Sequence, residues 1–299
     1  MPSSPAELVA GLLARCRFPP AGTAVTAAVS GGADSSALLV LAVEAGCVPT
    51  AVHVDHGLRP GSEREADVVA SLAARLGTPF VARRAQVAPG PNLEARAREA
   101  RRGVLPAGAM TGHTADDQAE TVVLNLLRGA GLDGLSGMAP GPTKPLLGLR
   151  RAETSALCAR LGLPTVHDPT NADLRWRRNR VRHEVLPLLD RVAERDVTAV
   201  VARSARLLHD DARLLDELAA PLDPTDAPAL ARVPAPLARR ALRRWLRAEL
   251  DPHPPDSATV ERVLAVAAGT RRATEVGGGR RVARRAGRLR LEPGSKGER

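Results

Sequence analysis

A strand, a glycine-rich bend and a helix start follow one another without interruption near the N-terminus. The apolar run 24–29 leads into Ser30-Gly31-Gly32-Ala33-Asp34-Ser35, and a helical stretch over 36–46 follows. Paired glycines allow a tight turn and bring several backbone N–H groups close to an anion, where a side chain would block the approach. A helix N-terminus directly behind the bend adds unsatisfied donors and the positive end of the helix dipole. Ser30, Ser35 and Ser36 offer hydroxyls, and the Asp34 carboxylate can hold a magnesium ion against a phosphate. Together with the backbone at Gly31, Gly32 and Ala33, these residues form a candidate polyphosphate site. An ordinary glycine-serine turn is the simpler reading of six residues taken alone. The Walker pattern is excluded, because it requires lysine and then Ser or Thr after the second glycine, and no lysine precedes Lys144.

Strand and helix signals continue to alternate after the bend. Short β-branched or apolar runs stand at 50–53, 80–81 and 109–111. Helical patterns lie between them, one opened by the capping box Ser62-Glu63-Arg64-Glu65, one capped by Asn92, and one over 116–127 stopped by Gly129 and Gly131. This alternation predicts a doubly wound, mostly parallel α/β sheet with helices on both faces. Right-handed crossovers then bring the loops after each strand to one edge, where ligands bind. Leucine and arginine repeats over 197–218, 237–250 and 260–268 predict a smaller helical domain, with a proline-rich connection at 221–236. A terminal β-hairpin is expected around Gly277-Gly278-Gly279, and the tail from Gly294 reads as disordered. The expected division is a catalytic domain over 1–195 and a helical basic domain over 196–299.

Charge separates the two parts. Residues 1–170 carry 16 basic and 15 acidic side chains, whereas residues 171–299 carry 27 and 18. A near-neutral first part and a basic second part suggest chemistry in front and a polyanion behind, against the simpler reading of a solvated arginine-rich surface. With two tryptophans, two phenylalanines and no tyrosine, base stacking has little to work with, and phosphate contact is the expected mode. Cys16, Cys47 and Cys158 are scattered and form no Cys-x-x-Cys pair, which argues for a reducing compartment. No apolar run is long enough to span a membrane and no signal-peptide layout opens the chain, so a cytoplasmic location is expected.

The loops expected at the sheet edge are rich in reactive groups. His53-Val54-Asp55-His56-Gly57-Leu58-Arg59 follows the second strand, and Gly112-His113-Thr114-Ala115-Asp116-Asp117-Gln118-Ala119-Glu120-Thr121 follows the fourth. Asp117 and Glu120 are spaced to share a helix face, an acidic pocket suited to an ammonium group or magnesium. Helix N-terminal stabilisation is the plainer role for Asp116 and Asp117. Two histidines at 53 and 56 raise zinc, although neutral loop histidines are commoner.

These blocks, in order, resemble the tRNA(Ile)-lysidine synthase family of PP-loop ATP pyrophosphatases, in a short form. The resemblance rests on the Ser30–Ser35 loop, the block at 53–59, Glu94 with Arg98 and Arg101, the block at 112–121 continuing to Asn125-Leu126-Leu127-Arg128-Gly129, Asp168-Pro169-Thr170-Asn171, and Arg178-Asn179-Arg180-Val181-Arg182 before Leu186-Pro187. It spans residues 24–190. Arg102 and Trp176 depart from the aromatic residues usual at those places, tyrosine for the first and phenylalanine or tyrosine for the second.

The resemblance implies a two-step ligation. ATP would adenylate the C2 oxygen of the wobble cytidine in a CAU-anticodon isoleucine tRNA, releasing pyrophosphate, and the ε-amine of free lysine would then displace AMP. It assigns catalysis to Asp34, Arg98, His113 and Asp117, and ATP to Ser30, Gly31, Gly32, Ala33, Asp34, Ser35 and Ser36, with magnesium at Asp34. Lysine falls to Asp55, His113, Asp117 and Glu120, and the tRNA backbone to Arg178, Arg180 and Arg182. A homodimer is left open, and the helical domain is expected to dock tRNA. Two other readings remain, a thiolase-like PP-loop enzyme and a nucleotide- and RNA-binding module without turnover.

Overall fold

A computed structural model describes residues 4–55, 57, 63–87, 90, 93–166, 169–250 and 255–294; the side chains at positions 63, 64, 93–95, 97, 98, 101 and 169 are not among those described. His56, Leu58, Arg59, the Ser62 cap, the Asn92 cap, Asp168 and the residues after Gly294 therefore lie outside the described residues, as do the side chains of Glu94, Arg98 and Arg101. The chain divides into two compact units, Met1–His209 and Asp210–Arg299.

In the first unit, α1 (Pro5–Leu13), β1 (Ala24–Ala28), α2 (Ala33–Glu44), β2 (Val48–Asp55), α3 (Glu63–Arg75), β3 (Phe80–Arg84), α4 (Leu93–Val104) and β4 (Met110–Thr111) alternate as expected. There follow α5 (Ala115–Leu127), α6 (Leu132–Leu135), α7 (Arg151–Arg160), α8 (Arg177–Arg180), a π turn at Val181–Val185, α9 (Leu186–Ala193) and α10 (Val197–Ala219), the last crossing the division between units. The four strands pair in the order β3-β2-β1-β4, and every pairing is parallel. Strand β1 is central because its register joins Ala24–Ala28 to β2 on one side and Ala27 and Ala28 to Met110 and Thr111 on the other. The chain reverses its direction of travel across the sheet between β1 and β4, the position where parallel α/β sheets open a ligand crevice.

Helix α2 is the spine of this unit. Leu38, Leu39 and Leu41 are fully buried, in one core with Leu146, Leu149 and Leu157 from the α7 region. A helix buried on nearly all sides cannot shift its N-terminus without disturbing the core, so whatever binds there meets a fixed set of donors.

The helix starts at Ala33, with Gly32 as its N-cap, three residues before the expected Ser36. The extended Gly32 backbone (φ −72°, ψ 160°) lets the turn close at once, so Asp34, Ser35 and Ser36 belong to the first helical turn rather than the loop.

In the second unit, α11 (Ala227–Arg232), α12 (Ala235–Glu249) and α13 (Ser257–Ala267) pack with β5 (Ala273–Gly277), β6 (Arg280–Arg285) and β7 (Arg288–Pro293). Leu242, Leu246, Val263, Val266, Val282 and Leu289 form its core. The expected hairpin continues into a third strand, in the antiparallel order β5-β6-β7. A second turn at Ala286-Gly287, both at positive φ, makes the extra reversal within what reads as one alternating run. The proline-rich connection also contains α11, because Asp226 accepts from Ala229 N at 3.0 Å and Pro228 suits the first turn.

Candidate active site

The bend after β1 is held by its own residues. Gly31 has φ +87°, and a Cβ there would lie 2.9 Å from Val166 Cγ2. Ser30 N donates to Ser35 Oγ at 3.1 Å, and Ser35 Oγ donates to Gly32 O at 2.9 Å. Ser36 is fully buried with its hydroxyl directed at Gly31 O. Ser35 and Ser36 thus shape the loop, leaving the first-turn N–H groups behind the Gly32 cap, which receive no side-chain cap, as the available anion donors. Strand β4 reaches this turn closely: a Cβ on Gly112 would sit 2.7 Å from Asp34 O. Only glycine allows the β4 end to lie against the start of α2.

From that contact the chain runs through His113 into α5, which carries the acidic turn. Thr114 N and Oγ1 donate to Asp117 Oδ2 at 2.8 and 3.0 Å, so one Asp117 oxygen caps its own helix. The other, Oδ1, accepts from Arg151 Nη2 and Arg178 Nη2, both at 3.1 Å. Asp116 turns the opposite way and caps α7, accepting from Arg151 N at 2.8 Å and from the Arg150 guanidinium at 3.1 and 3.2 Å. Helix stabilisation, the plainer reading of this pair, is thus observed, but Asp116 serves a helix distant in sequence.

Glu120 is the buried hub. It has no solvent exposure and accepts from Arg178 Nε at 2.6 Å, Arg182 Nε at 2.7 Å and Arg151 Nη1 at 3.3 Å. Arg178 and Arg182 reach it from one face of the helical run that passes through the π turn, a distortion frequent at functional sites. Packing of Ala119 and Val123 on Val181 and Leu186 presses that run against α5. Arg180 points elsewhere; its side chain is 61% exposed and pairs with Glu184 at 3.1 Å. The three arginines therefore do not act as one basic face. The acidic turn is not an open pocket either, since guanidinium groups already fill it.

Arg151 joins this cluster to the glycine loop. Its Nε donates to Asp34 Oδ2 at 3.4 Å while its terminal nitrogens hold Asp117 and Glu120. The Thr154 hydroxyl donates to the other Asp34 oxygen. Burial pushes Asp34 above the ordinary carboxylate range, opposed by Thr154 and Arg151. For Asp117, burial acts in the same direction but is outweighed by Arg151 and Arg178, which hold it below that range. Asp116 is likewise lowered, burial being overcome by Arg150 and the Arg151 N–H.

His113 stands beside Asp117, its Nδ1 2.7 Å from Thr111 Oγ1. Asp55 ends β2, on the other side of β1, where it accepts from Gly57 N at 2.8 Å. His53 is not a loop residue: it is buried on β2 with Nδ1 3.0 Å from Val29 O. Among the described residues, no group of three His, Cys, Asp or Glu side chains is placed to hold a metal ion. Magnesium, which commonly takes one or two carboxylates and completes its shell with substrate phosphates and water, fits the single carboxylate of Asp34 beside the loop donors.

Arg150, Arg151 and Thr154 escape the sequence reading. The signal available was Arg150 followed three residues later by Glu153, which closes a capping box on α7 by accepting from Arg150 N at 2.8 Å. That pattern locates a helix start and says nothing of where its first turn points. The cysteines stay outside this chemistry. Burial pushes the Cys16 thiol up to about 12 and Cys158 up to about 11, so both remain protonated thiols at neutral pH. No helix among the described residues is long and apolar enough to cross a membrane.

Comparison with known proteins agrees with both units. Residues 11–189 match the PP-loop domain family, and residues 226–290 match the TilS substrate binding domain. The tRNA(Ile)-lysidine synthase of Nocardia farcinica is 45% identical over 254 residues, 80% of each chain, and that of Gloeobacter violaceus is 39% identical over 263 residues, 79% of this chain and 80% of the relative. The U34-tRNA thiolase NcsA from Methanococcus maripaludis superposes with a TM-score of 0.53 at 18% identity, covering 69% of this chain and 78% of that one, a likeness of fold alone.

Proposed function

This chain belongs to the tRNA(Ile)-lysidine synthase family, and from that premise we propose that it ligates free lysine to C2 of the wobble cytidine in a CAU-anticodon isoleucine tRNA. The reaction forms a carbon–nitrogen bond and consumes ATP in two steps, adenylation of the C2 oxygen with loss of pyrophosphate, then displacement of AMP by the lysine ε-amine. The observation that carries the residue assignment is the Asp34–Arg151–Asp117 bridge, which ties the phosphate loop to the acidic turn of α5.

The donors after Gly32, with Gly31, Ala33, the Ser30 hydroxyl and the backbone of Ser35 around them, take the ATP phosphates; the Ser35 and Ser36 hydroxyls hold the loop from beneath. Magnesium, bound with ATP at Asp34, supplies neutralisation of phosphate charge. Arg98 on α4 is assigned to the phosphates or the adenylated base. Charge building on the leaving pyrophosphate needs fixed cationic donors, and Arg151, held beside the loop by three carboxylates, is assigned that part.

Lysine arrives protonated, because its amine titrates at about 10.4. Asp117, held below the ordinary carboxylate range, stays ionised; it is assigned to the ammonium, which has to displace one of the two guanidinium groups now on its Oδ1. His113 is the fitting acceptor, since imidazole takes up a proton near neutral pH. Glu120, saturated by three arginines, orients those arginines, and Asp55 contributes from the far side of β1. Of the arginines first assigned to tRNA, Arg180 keeps that assignment, which its exposed side chain supports.

A cytoplasmic location follows from the substrate. A homodimer, if formed, is read by light scattering of the intact chain. The function itself is tested by AMP release from ATP with an unmodified CAU-anticodon transcript, with and without lysine. Release that requires both lysine and tRNA supports the reading, and lysine-independent ATP cleavage moves it to another adenylating enzyme.

A further inference from the structure

A second cationic site lies in the unit Asp210–Arg299. A cavity of about 480 Å³ is lined by Arg262, Arg271, Ala273, Thr274, Glu275 and Arg281. Arg262 comes from α13, Arg271 from the approach to β5, and Arg281 from β6, where it lies opposite Glu275. Three elements thus bring three guanidinium groups to one hollow, against one lining carboxylate.

The donors there are arranged around a hydroxyl. Thr274 is nearly buried, and its Oγ1 accepts from Arg262 Nε and from Arg271 Nη1, each at 3.3 Å. An oxygen that accepts twice keeps its own proton to donate. Arg262 is fixed further by donating from Nη2 to Thr259 Oγ1 at 2.8 Å. Arg281 Nη2 donates to Glu292 at 3.1 Å, but its Nε is buried without a hydrogen-bond partner. Glu292 is shared with Arg285 at 2.9 Å, so one carboxylate balances two cations.

Other arginines of the terminal sheet are engaged differently. Arg280 donates to Glu249 O at 3.1 Å, Arg284 to Ala267 O at 2.8 Å, and Arg288 to Asp223 at 2.7 Å. The arginines of the terminal sheet therefore do not make a uniform basic strip, and Arg281 is the one that joins Arg262 and Arg271 in this cavity. Converging guanidinium groups and a hydroxyl donor with unmet capacity suit a tetrahedral oxyanion. No aromatic side chain lines the cavity, so a stacked base has no platform there.

We propose that this cavity, formed by Arg262, Arg271, Thr274 and Arg281, binds a backbone phosphate of the tRNA substrate. The assignment rests on the tRNA reading given above and adds to it a phosphodiester site within the unit Asp210–Arg299. Phosphate contacts of this kind fix the position of a nucleic acid and carry no base information.

The test uses the full chain and the unmodified CAU-anticodon transcript, with tRNA affinity measured over a series of salt concentrations. Arg271→Gln and the double variant Arg271→Gln/Arg281→Gln are compared with Arg271→Lys and with Arg232→Gln, an exposed arginine of the same unit outside the cavity. The double variant is expected to raise the tRNA Kd about tenfold and to lower the slope of log K against log salt by about 1–2. Its KM for tRNA rises while kcat at saturating tRNA holds, Arg271→Lys keeps most of the affinity, and Arg232→Gln changes the slope least. Should the double variant unfold, Arg271→Gln alone reads the same slope. Unchanged Kd and slope in folded cavity variants overturn the proposal. So does an equal loss in Arg232→Gln, which marks bulk charge, or altered inhibition by added pyrophosphate with tRNA affinity intact, which marks a site for free phosphate. Lysidine formation by the unaltered chain is measured alongside; its absence counts against the reaction and leaves the tRNA-affinity result to judge the cavity.

Discussion

Arg178 Nε donates to Glu120 Oε2 at 2.6 Å, across the junction of α5 and the helical run that carries the π turn. The Glu120 carboxylate is wholly buried and receives three guanidinium groups at once. Removing the shared partner strands charges that have already lost part of their hydration, and breaking such a set costs about 3–5 kcal/mol. Glu120→Ala is therefore expected to lower stability by about that amount, read by urea unfolding. Arg180→Ala, which removes an exposed pair with Glu184, is expected to change it by less than about 1 kcal/mol.

Arg151→Met separates chemistry from substrate binding. The variant keeps much of the side-chain volume and removes the link from Asp34 to Asp117 and Glu120. AMP release at saturating tRNA is expected to fall about a hundredfold, with tRNA affinity in filter binding little altered.

Gly112→Ala probes the approach of β4 to the glycine loop. A methyl group placed 2.7 Å from Asp34 O must push the two apart. A stability loss of about 1–3 kcal/mol is expected, together with weaker ATP binding by calorimetry, because the displaced segment carries the first turn of α2.

Acid sensitivity has a definite sign. Asp116 and Asp117 are held below the ordinary value of 3.8, so the folded chain binds fewer protons than the unfolded chain as pH falls past that value. Their contribution is fully present above 3.8 and is lost as pH falls through the lowered folded values. Asp34 is raised and acts oppositely: the folded state favours its proton, so its ionisation costs stability as pH rises from 3.8 through its folded value. Urea unfolding across acidic pH is expected to show Asp117→Asn flattening the acid loss and Asp34→Asn removing the opposing term.

Local chemistry was legible where one segment supplied all of it. The glycine bend, the strand–helix alternation and the Asp117–Glu120 spacing follow from residues close together in sequence, and each stands in the structure. Long-range partners were not legible. Arg151 meets Asp34 across 117 positions and Glu120 across 31, and no periodicity in the α7 segment announces it. Arg178 and Arg182 read as tRNA-backbone contacts because spacing fixes which residues share a face without saying what that face meets. The third strand was missed because Ala286 adopts positive φ in a turn with one glycine, where the expected signal is a run such as Gly277-Gly278-Gly279.

The central claim is ligation of lysine to one base, and the most direct measurement is the mass of the wobble nucleoside. The CAU-anticodon isoleucine transcript is incubated with the full chain, ATP, magnesium and isotope-labelled lysine, then digested to nucleosides and weighed. A labelled, lysine-sized gain at the wobble cytidine, absent when lysine is omitted and strongly reduced in Arg151→Met, is the predicted result. ATP cleavage with that cytidine unaltered would contradict the account.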